Sequence, residues 1–156
     1  MNELRPITKV DVLEARIVAA TGEFCGAGQT PSATPVRDSF APGLYLREIF
    51  MPKGALVVSK RHKTEHPFIV SLGLVQVWNE LDGIPVEIEA PYQGITLPGT
   101  KRVLFVLEDT VWTTIHLNPR NLRDIAELER ELIEGNDNPL LAGVVASGAL
   151  TSGEVQ

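Results

Sequence analysis

The sequence predicts an all-β fold, a sandwich or barrel of short strands, with one α-helix on either flank. Between Leu44 and His116, short segments rich in β-branched and aromatic residues alternate with turn residues. The turns recur about every ten residues, which is typical of all-β sandwiches and barrels. Apolar residues at helical spacing occur instead at 8–21 and 119–134.

Composition excludes several classes of protein. The 156 residues fit one domain, and 44% hydrophobic with 22% charged residues is ordinary for a soluble globular chain. The net charge of −6 argues against sequence-independent nucleic-acid binding, which needs a basic footprint. A single cysteine, Cys25, excludes an intrachain disulfide framework and a thiolate zinc cluster. With no membrane-span or signal-peptide pattern, we expect a cytoplasmic protein that binds neither membrane nor nucleic acid.

The N-terminal region predicts a helix followed by an arm. Thr8 is an N-cap candidate with Asp11 three residues later, a variant of the capping box, and Gly22 is a natural end. The apolar stripe of this helix consists of Val10, Leu13 and Ile17. Residues 22–43 carry four glycines and three prolines, which predicts a loop or arm lying against the body.

Seven strand segments are predicted in the middle of the chain. They are 44–51, 54–60, 67–79, 85–90, 95–97, 101–109 and 110–117. Asp82-Gly83 is a strong hairpin signal, and we interpret Glu108-Asp109 as turn acids between the last two strands. Trp78 and Trp112 are predicted to be core or interface aromatics.

A second helix is predicted at 119–134, with Asn118 as its cap and Gly135 after its end. Its apolar face, which must dock on the barrel or on a second copy, consists of Leu122, Ile125, Leu128 and Leu132. The sequence thus divides one domain into four parts: an N-terminal helix and arm at 1–43, a barrel core at 44–117, a C-terminal helix at 118–135 and a flexible tail at 136–156.

The stretch 54–73, GALVVSKRHKTEHPFIVSLG, resembles the first motif of the cupin family. That motif is a glycine, five residues, His-x-His, three or four residues, Glu, six residues and a glycine. The matching positions are Gly54, His62 and Gly73. Lys60 replaces the first histidine, and His66 stands at the glutamate position.

The second cupin motif, Pro-x-Gly, two residues and His, is matched more loosely. Gly99 places Arg102 at the ligand position, and the proline is displaced to Pro98. The resemblance covers about 44–116 and is also a likeness to small cupin-like proteins of bacteria and their phages. It implies a double-stranded β-helix, or jelly-roll barrel, and a homo-oligomer, with a dimer favoured. The apolar face of helix 119–134 and the N-terminal arm would supply the interface.

The resemblance implies a metal site with an altered ligand set. Cupin sites use three imidazoles and a carboxylate to hold Fe, Mn, Ni or Zn. His62 and His66 can supply two nitrogens, so a third donor must come from His116, Glu65 or elsewhere. Strand alternation leaves either face of 110–117 able to point inward, so the side on which His116 lies stays open. A ligand-free histidine pair at the barrel mouth and general acid–base chemistry are the competing interpretations of His62 and His66.

Lys60 and Arg102 place positive charge where metal ligands would lie, which repels a cation and suits a carboxylate or phosphate. The sequence therefore also predicts an anion or substrate site at these two residues. The competing interpretation is a solvated rim of basic residues, namely Lys60, Arg61, Lys63, Lys101 and Arg102.

Two functions follow from these patterns, and neither assigns catalytic residues. The missing first histidine and carboxylate favour a non-catalytic binding or assembly protein with a degenerate metal or anion site. The alternative is a metal-dependent cupin enzyme of isomerase or dioxygenase type, in which Lys60 and Arg102 orient a small anionic substrate.

Overall fold

The computed structural model of the protein describes residues 5–21, 34–80 and 83–143, and it confirms the all-β class. Seven strands and two flanking helices follow one another along these ranges. They are α1 (Lys9–Thr21), β1 (Val36–Ala41), β2 (Leu44–Met51), β3 (Leu56–Val58), β4 (His66–Asn79), β5 (Val86–Glu89), β6 (Tyr92–Thr96), β7 (Arg102–Leu117) and α2 (Ile125–Leu132), with a 3₁₀ turn at Pro139–Leu141.

The antiparallel sheet is organised on its two longest strands, β4 and β7. The second half of β7 pairs with β2 and with the first half of β4, while the first half of β7 pairs with β3 and with the end of β4. Strand β1 extends the sheet beyond β2, and both β5 and β6 pair with β4. Because the β4–β7 register shifts between Val70 and Val75, the sheet bends there into two layers.

Gly73 lies where β4 bends against β7. Its φ is +98°, and a Cβ built on it would lie 2.3 Å from the carbonyl oxygen of Asp109 and 2.4 Å from Oγ1 of Thr110. Only glycine allows so close an approach of the two backbones.

Glu108 and Asp109 do not form a hairpin turn, so the prediction of two separate strands at 101–109 and 110–117 is wrong. They lie inside the continuous strand β7, at its bend. The carboxylate of Asp109 accepts a hydrogen bond of 2.8 Å from the backbone N–H of Lys53. At Glu108 and Asp109 the strand changes its pairing partners, and the chain does not reverse direction. A local sequence pattern cannot distinguish such a bend from a hairpin turn.

The core lies between the two layers of the folded sheet. Its buried members are Met51, Ala55, Val57, Phe68, Val70, Val75, Val77, Ile88, Leu104, Val106 and Trp112. Trp112 is thus a core residue, as predicted, whereas Trp78 packs in a second cluster beneath α1. Burial of this apolar surface is what holds the layers together.

The arm predicted at 22–43 is partly a strand. Val36–Ala41 forms β1, antiparallel to β2, and Phe40 stacks on Tyr45 with 5.4 Å between ring centroids. The barrel therefore begins before residue 44, and this corrects the predicted boundary. The glycines and prolines of 22–43 predicted a loop, although the segment includes a short edge strand. Residues 22–33, including the expected helix end at Gly22, lie outside the described ranges.

Helix α1 begins as the capping box predicts. The backbone N–H of Thr8 donates to Asp11 Oδ2 at 2.8 Å, and the N–H of Asp11 donates to Thr8 Oγ1 at 3.1 Å. The Arg5 guanidinium donates to both oxygens of Asp11 at 2.7 and 2.8 Å. Burial alone would raise the pKa of the Asp11 carboxyl, but the hydrogen bonds from Arg5 and Thr8 outweigh it and lower the pKa to about 2.

Helix α2 begins later than predicted, at Ile125, with Asp124 rather than Asn118 as its N-cap. The Asn118 side chain instead bonds both the N–H and the carbonyl of Leu122, which orders the preceding loop. The apolar face of α2 packs on Tyr45 of the same chain. That face is therefore not available for the dimer interface that we expected it to supply.

The start of the predicted flexible tail is packed. Asn138 is 2% exposed, and its Nδ2 donates to the carbonyl of Asp11 and to Glu14 Oε1 at 2.9 and 3.0 Å. This corrects the prediction for 136–143, because one amide side chain ties the segment to α1. Residues 144–156 lie outside the described ranges. Among the described helices, none has the length and apolarity that crossing a membrane requires.

Substitution of Gly73 should test the bend. We expect Gly73→Ala to destabilise the protein by about 3 kcal/mol or more, since the new Cβ strikes backbone atoms of β7 and carries the strain of a positive φ. Gly54→Ala is the matched control, because Gly54 has φ +87° with open space around it and should cost only about 1 kcal/mol. Urea unfolding measures both, and equal losses would contradict the close crossing.

Low pH should weaken the contacts that Asp11 makes with Arg5 and Thr8 at the start of α1. Since the pKa of Asp11 is lowered in the folded state, its contribution of about 2 kcal/mol is present above pH 4 and is lost as the pH falls toward 2. Thermal unfolding from pH 6 to 2 should show a shallower loss for Asp11→Asn than for wild type. Glu87→Gln, at an exposed position on β5, should keep the wild-type profile. Identical profiles for wild type and Asp11→Asn would refute this role.

Candidate metal centre

The structure brings the three histidines of the chain together. His62 lies in the segment between β3 and β4, His66 opens β4, and His116 lies near the end of β7. Ring centroids are 4.4 Å apart for His66 and His116, 4.6 Å for His62 and His66, and 5.5 Å for His62 and His116. One nitrogen from each ring can be chosen so that all three lie within 4.8 Å of one another.

Strand register places two of these rings. Trp112, Thr114 and His116 lie on the face of β7 that points into the barrel. Strand alternation alone had left either face of 110–117 possible. His66 pairs with Thr96 on β6, and its side chain points into the same space between the two layers of the sheet. The backbone of His62 is held by a bridge to Ile133 and by a 2.8 Å hydrogen bond from the Gly99 N–H to its carbonyl.

Tyr45 closes the cluster on the side of α2. Its ring stacks on His116 with 5.8 Å between centroids, and its hydroxyl donates to Asp38 Oδ1 at 2.5 Å. Leu128, Leu132 and Ile133 pack against the same tyrosine. The histidines therefore lie beneath a packed cap, and His66 and His116 are only 3% and 2% exposed.

Burial keeps the three imidazoles neutral. It lowers the pKa of His62 to about 3, and repulsion from the neighbouring histidines acts in the same direction. The pKa of His116 is lowered to about 3 by the same two causes. Burial also lowers the pKa of His66, against the hydrogen bond with Thr64 that raises it. Neutral imidazole is the form that binds metal ions.

The hydrogen bonds of the rings fit a divalent transition metal. His66 Nδ1 lies 2.9 Å from the carbonyl oxygen of Thr64, so it donates there and leaves the lone pair of Nε2 free. His116 Nε2 lies 2.9 Å from Thr114 Oγ1. His116 Nδ1 is buried with no hydrogen-bond partner among the described residues, an arrangement that costs about 1–3 kcal/mol unless something ligates it. A metal ion held by His62, His66 and His116 would satisfy this nitrogen.

A pocket of about 60 Å³ adjoins the cluster. Its apolar wall consists of Ile49, Met51, Val57, Leu104 and Trp112. Its polar lining consists of Arg47, Ser59, His62, His66, Thr96, Thr100, Arg102 and Thr114. This volume accommodates several waters or one small ligand.

Of the two predicted anion-binding residues, Arg102 lines this pocket and Lys60 does not. Lys60 lines a separate cleft together with Arg61, Lys101 and Glu134. Residues 59–65 are not a regular strand, so side chains two positions apart need not face the same way. The structure therefore does not bring Lys60 and Arg102 to one site.

The rim interpretation is wrong for two of the basic residues. Lys101 is 4% exposed, and its Nζ lies 3.1 Å from Glu14 Oε1 in a buried ion pair. Arg61 Nη1 lies 2.8 Å from Glu80 Oε2. Both tie the barrel to its flanking segments rather than forming a solvated edge, because acids distant in sequence meet them there.

Arg47 is a pocket residue that was not predicted from the sequence. It lies on the inward face of β2, and its Nη1 lies 2.9 Å from Glu129 Oε1 on α2. The signal was present in the sequence: Tyr45, Ile49 and Met51 alternate along β2 and are in contact with the interior clusters. The same period places Arg47 among them.

Comparison with known proteins shows the fold. No protein-family model and no curated protein sequence matches the chain. A protein of unknown function from Vibrio parahaemolyticus is similar in structure, with a TM-score of 0.50 and 11% identity over 57% of this chain and 93% of that one. This likeness and the antiparallel pairing of the strands agree with the all-β fold that the sequence predicts.

Two further structures are similar at lower scores. An RmlC-like cupin family protein from Methanocaldococcus jannaschii has a TM-score of 0.47 and 13% identity, over 56% of this chain and 83% of that one. KdgF from Halomonas sp. has a TM-score of 0.48 and 14% identity, over 62% of this chain and 87% of that one.

In the metal-free protein, substitutions of His116 and His66 should differ in their effect on stability. His116→Phe should leave stability nearly unchanged, because removal of the unsatisfied buried Nδ1 offsets loss of the hydrogen bond between Nε2 and Thr114 Oγ1, and the stacking on Tyr45 is kept. His66→Phe is the matched control, and we expect it to cost about 1 kcal/mol or more, because the Thr64 carbonyl loses its donor. Thermal unfolding after chelator treatment measures both. A large loss for His116→Phe and none for His66→Phe would refute the hydrogen-bond assignment.

Proposed function

We propose that the protein is a metal-dependent cupin in which His62, His66 and His116 hold one divalent transition-metal ion. The observation that carries this proposal is the convergence of three neutral imidazoles whose ligand atoms lie within 4.8 Å. Three protein ligands leave coordination positions open, which is the pattern of catalytic rather than structural zinc sites.

The donor set narrows the choice of metal. Imidazole suits Zn, Fe, Ni and Cu, whereas Mn favours oxygen ligands. No Asp or Glu joins the cluster within the described ranges. Of the Fe, Mn, Ni and Zn that the cupin resemblance implies, the three-histidine set therefore favours Zn, Fe or Ni over Mn.

The pocket supports an enzymatic role of the isomerase or dioxygenase type on a small anionic substrate. Neutral ligands leave the full charge on a bound divalent ion, which makes it a stronger Lewis acid toward a substrate oxygen. The apolar wall and the packed cap limit access of water, and Arg102 lies on the polar lining. The residues of this chain would bind and orient the substrate beside the ion.

A non-catalytic binding or assembly protein is the second candidate. It is favoured by the lack of a carboxylate in the cluster within the described ranges and by Arg102, whose charge weakens cation binding. In this case the three histidines would be a remnant of a metal site, and the barrel would act by binding alone.

Metal analysis of untagged protein purified without chelator separates the candidates. We expect about one equivalent of a transition metal per chain, and about one equivalent of Co²⁺ with a ligand-field absorption band in metal-free protein. His62→Ala, His66→Ala and His116→Ala should each weaken Co²⁺ binding by more than the roughly 10–100-fold caused by loss of an outer-shell partner. Because the chain has three histidines in all, no other imidazole can substitute.

Cys25→Ser is the control, since it removes the one thiol of the chain and should leave the Co²⁺ spectrum and affinity unchanged. Substoichiometric metal that is unaffected by the double substitution His62→Ala/His66→Ala would overturn the metal-dependent function and leave the binding protein.

A further inference from the structure

Arg102 is a pocket cation without an acidic partner in the parts of the chain that the structure describes. Its Nη1 donates to Thr96 Oγ1 at 2.8 Å, and no carboxylate of the described ranges lies within ion-pair distance. Thr96 is the strand partner of His66, so the guanidinium lies next to the metal cluster. Burial lowers the pKa of Arg102, but an arginine side chain stays charged in proteins.

The charges of the pocket do not balance. Arg47 is paired with Glu129, whereas Arg102 has no such partner among the described residues. A divalent ion held by three neutral imidazoles would add two further positive charges, and no described side chain of the cluster offsets them. In a partly dehydrated pocket this excess strongly favours an anionic ligand.

The guanidinium of Arg102 lies against two aromatic rings. Its central carbon lies 5.1 Å from the Phe68 ring centroid and 6.0 Å from that of Trp112, and these two rings stack with centroids 4.5 Å apart. A planar fork matches a carboxylate or a phosphate in bidentate geometry better than it matches a spherical anion. The helix N-terminus or nest of backbone N–H groups that commonly binds phosphate is not among the pocket's lining residues in the described ranges.

We propose that this pocket binds a small carboxylate with a second oxygen donor, its carboxylate on Arg102 and the second oxygen on the metal ion. The part concerning the metal rests on the proposed function, whereas the part concerning Arg102 does not. The volume of about 60 Å³ favours a short compound, such as a dicarboxylate or 2-hydroxy acid of about two or three carbons.

Titration calorimetry with malonate, acetate and inorganic phosphate tests the ligand class on Zn²⁺-loaded and metal-free protein. Malonate should bind the loaded protein more tightly than acetate or phosphate does. Arg102→Gln should weaken malonate binding about tenfold to a hundredfold, and Arg102→Lys should recover only part of it, because it keeps the charge but not the fork. Arg37→Gln is the matched control, at a side chain 74% exposed on β1, and should bind as wild type does.

The Co²⁺ protein supplies a second readout. Malonate should shift the ligand-field band of the wild-type protein, and it should do so in Arg102→Gln only at correspondingly higher concentration. Malonate affinity equal in wild type, Arg102→Gln and Arg37→Gln would overturn the proposal. Acetate binding as tightly as malonate would overturn the second oxygen contact, and tighter phosphate binding would overturn the carboxylate class.

Failure of the metal site gives a different result from failure of the ligand site. If Co²⁺ does not bind, the proposed function fails, but metal-free wild type should still bind malonate more tightly than Arg102→Gln does. If Co²⁺ binds and malonate ignores Arg102, the metal centre stands and the carboxylate site fails. Far-UV circular dichroism of both Arg102 variants verifies that they are folded. If Arg102→Gln does not fold, the malonate affinity of Arg102→Lys still tests the proposal.

Discussion

The close crossing of β4 and β7 at Gly73 is the constraint on which the site depends. With Asp109 and Thr110 against the bare Cα, both long strands bend together and the sheet doubles into two layers. The register beyond the bend pairs Phe68 with Thr114. Two residues further along each antiparallel strand, this register carries His66 toward His116, so one backbone contact near the middle of both strands sets the separation of two rings at their ends.

The cluster of three histidines lowers the stability of the metal-free fold. Three neutral histidines lie together beneath the cap formed by Tyr45 and α2, and one ring nitrogen has no partner in the part of the chain that the structure describes. Apolar side chains of similar size would stabilise such a position better. Retaining imidazoles there is understandable if an ion ligates them, and the neighbouring guanidinium then gives the ion's open positions a ligand preference.

Much of the fold could be predicted from local patterns. The capping box at Thr8, the alternating strands and the glycine spacing around His62 all act over a few residues, and the structure agrees with them. The boundaries that were wrong depend on distant partners. β1 needs β2 to pair with, Asp109 needs Lys53, and the segment after 135 is held by Asn138 against α1.

The sequence by itself determined the fold class and proposed His62, His66 and Arg102 as site residues, because period-2 alternation and glycine spacing are short-range properties of the backbone. Only the tertiary structure decided that His116 lies beside the other two histidines, that Lys60 lines another cleft, and that Arg47 pairs with Glu129 while Arg102 meets no acid in the described ranges. Those outcomes depend on strand register, on an irregular segment at 59–65 and on which acids approach from other elements. Each is set by contacts between parts of the chain that are distant in sequence.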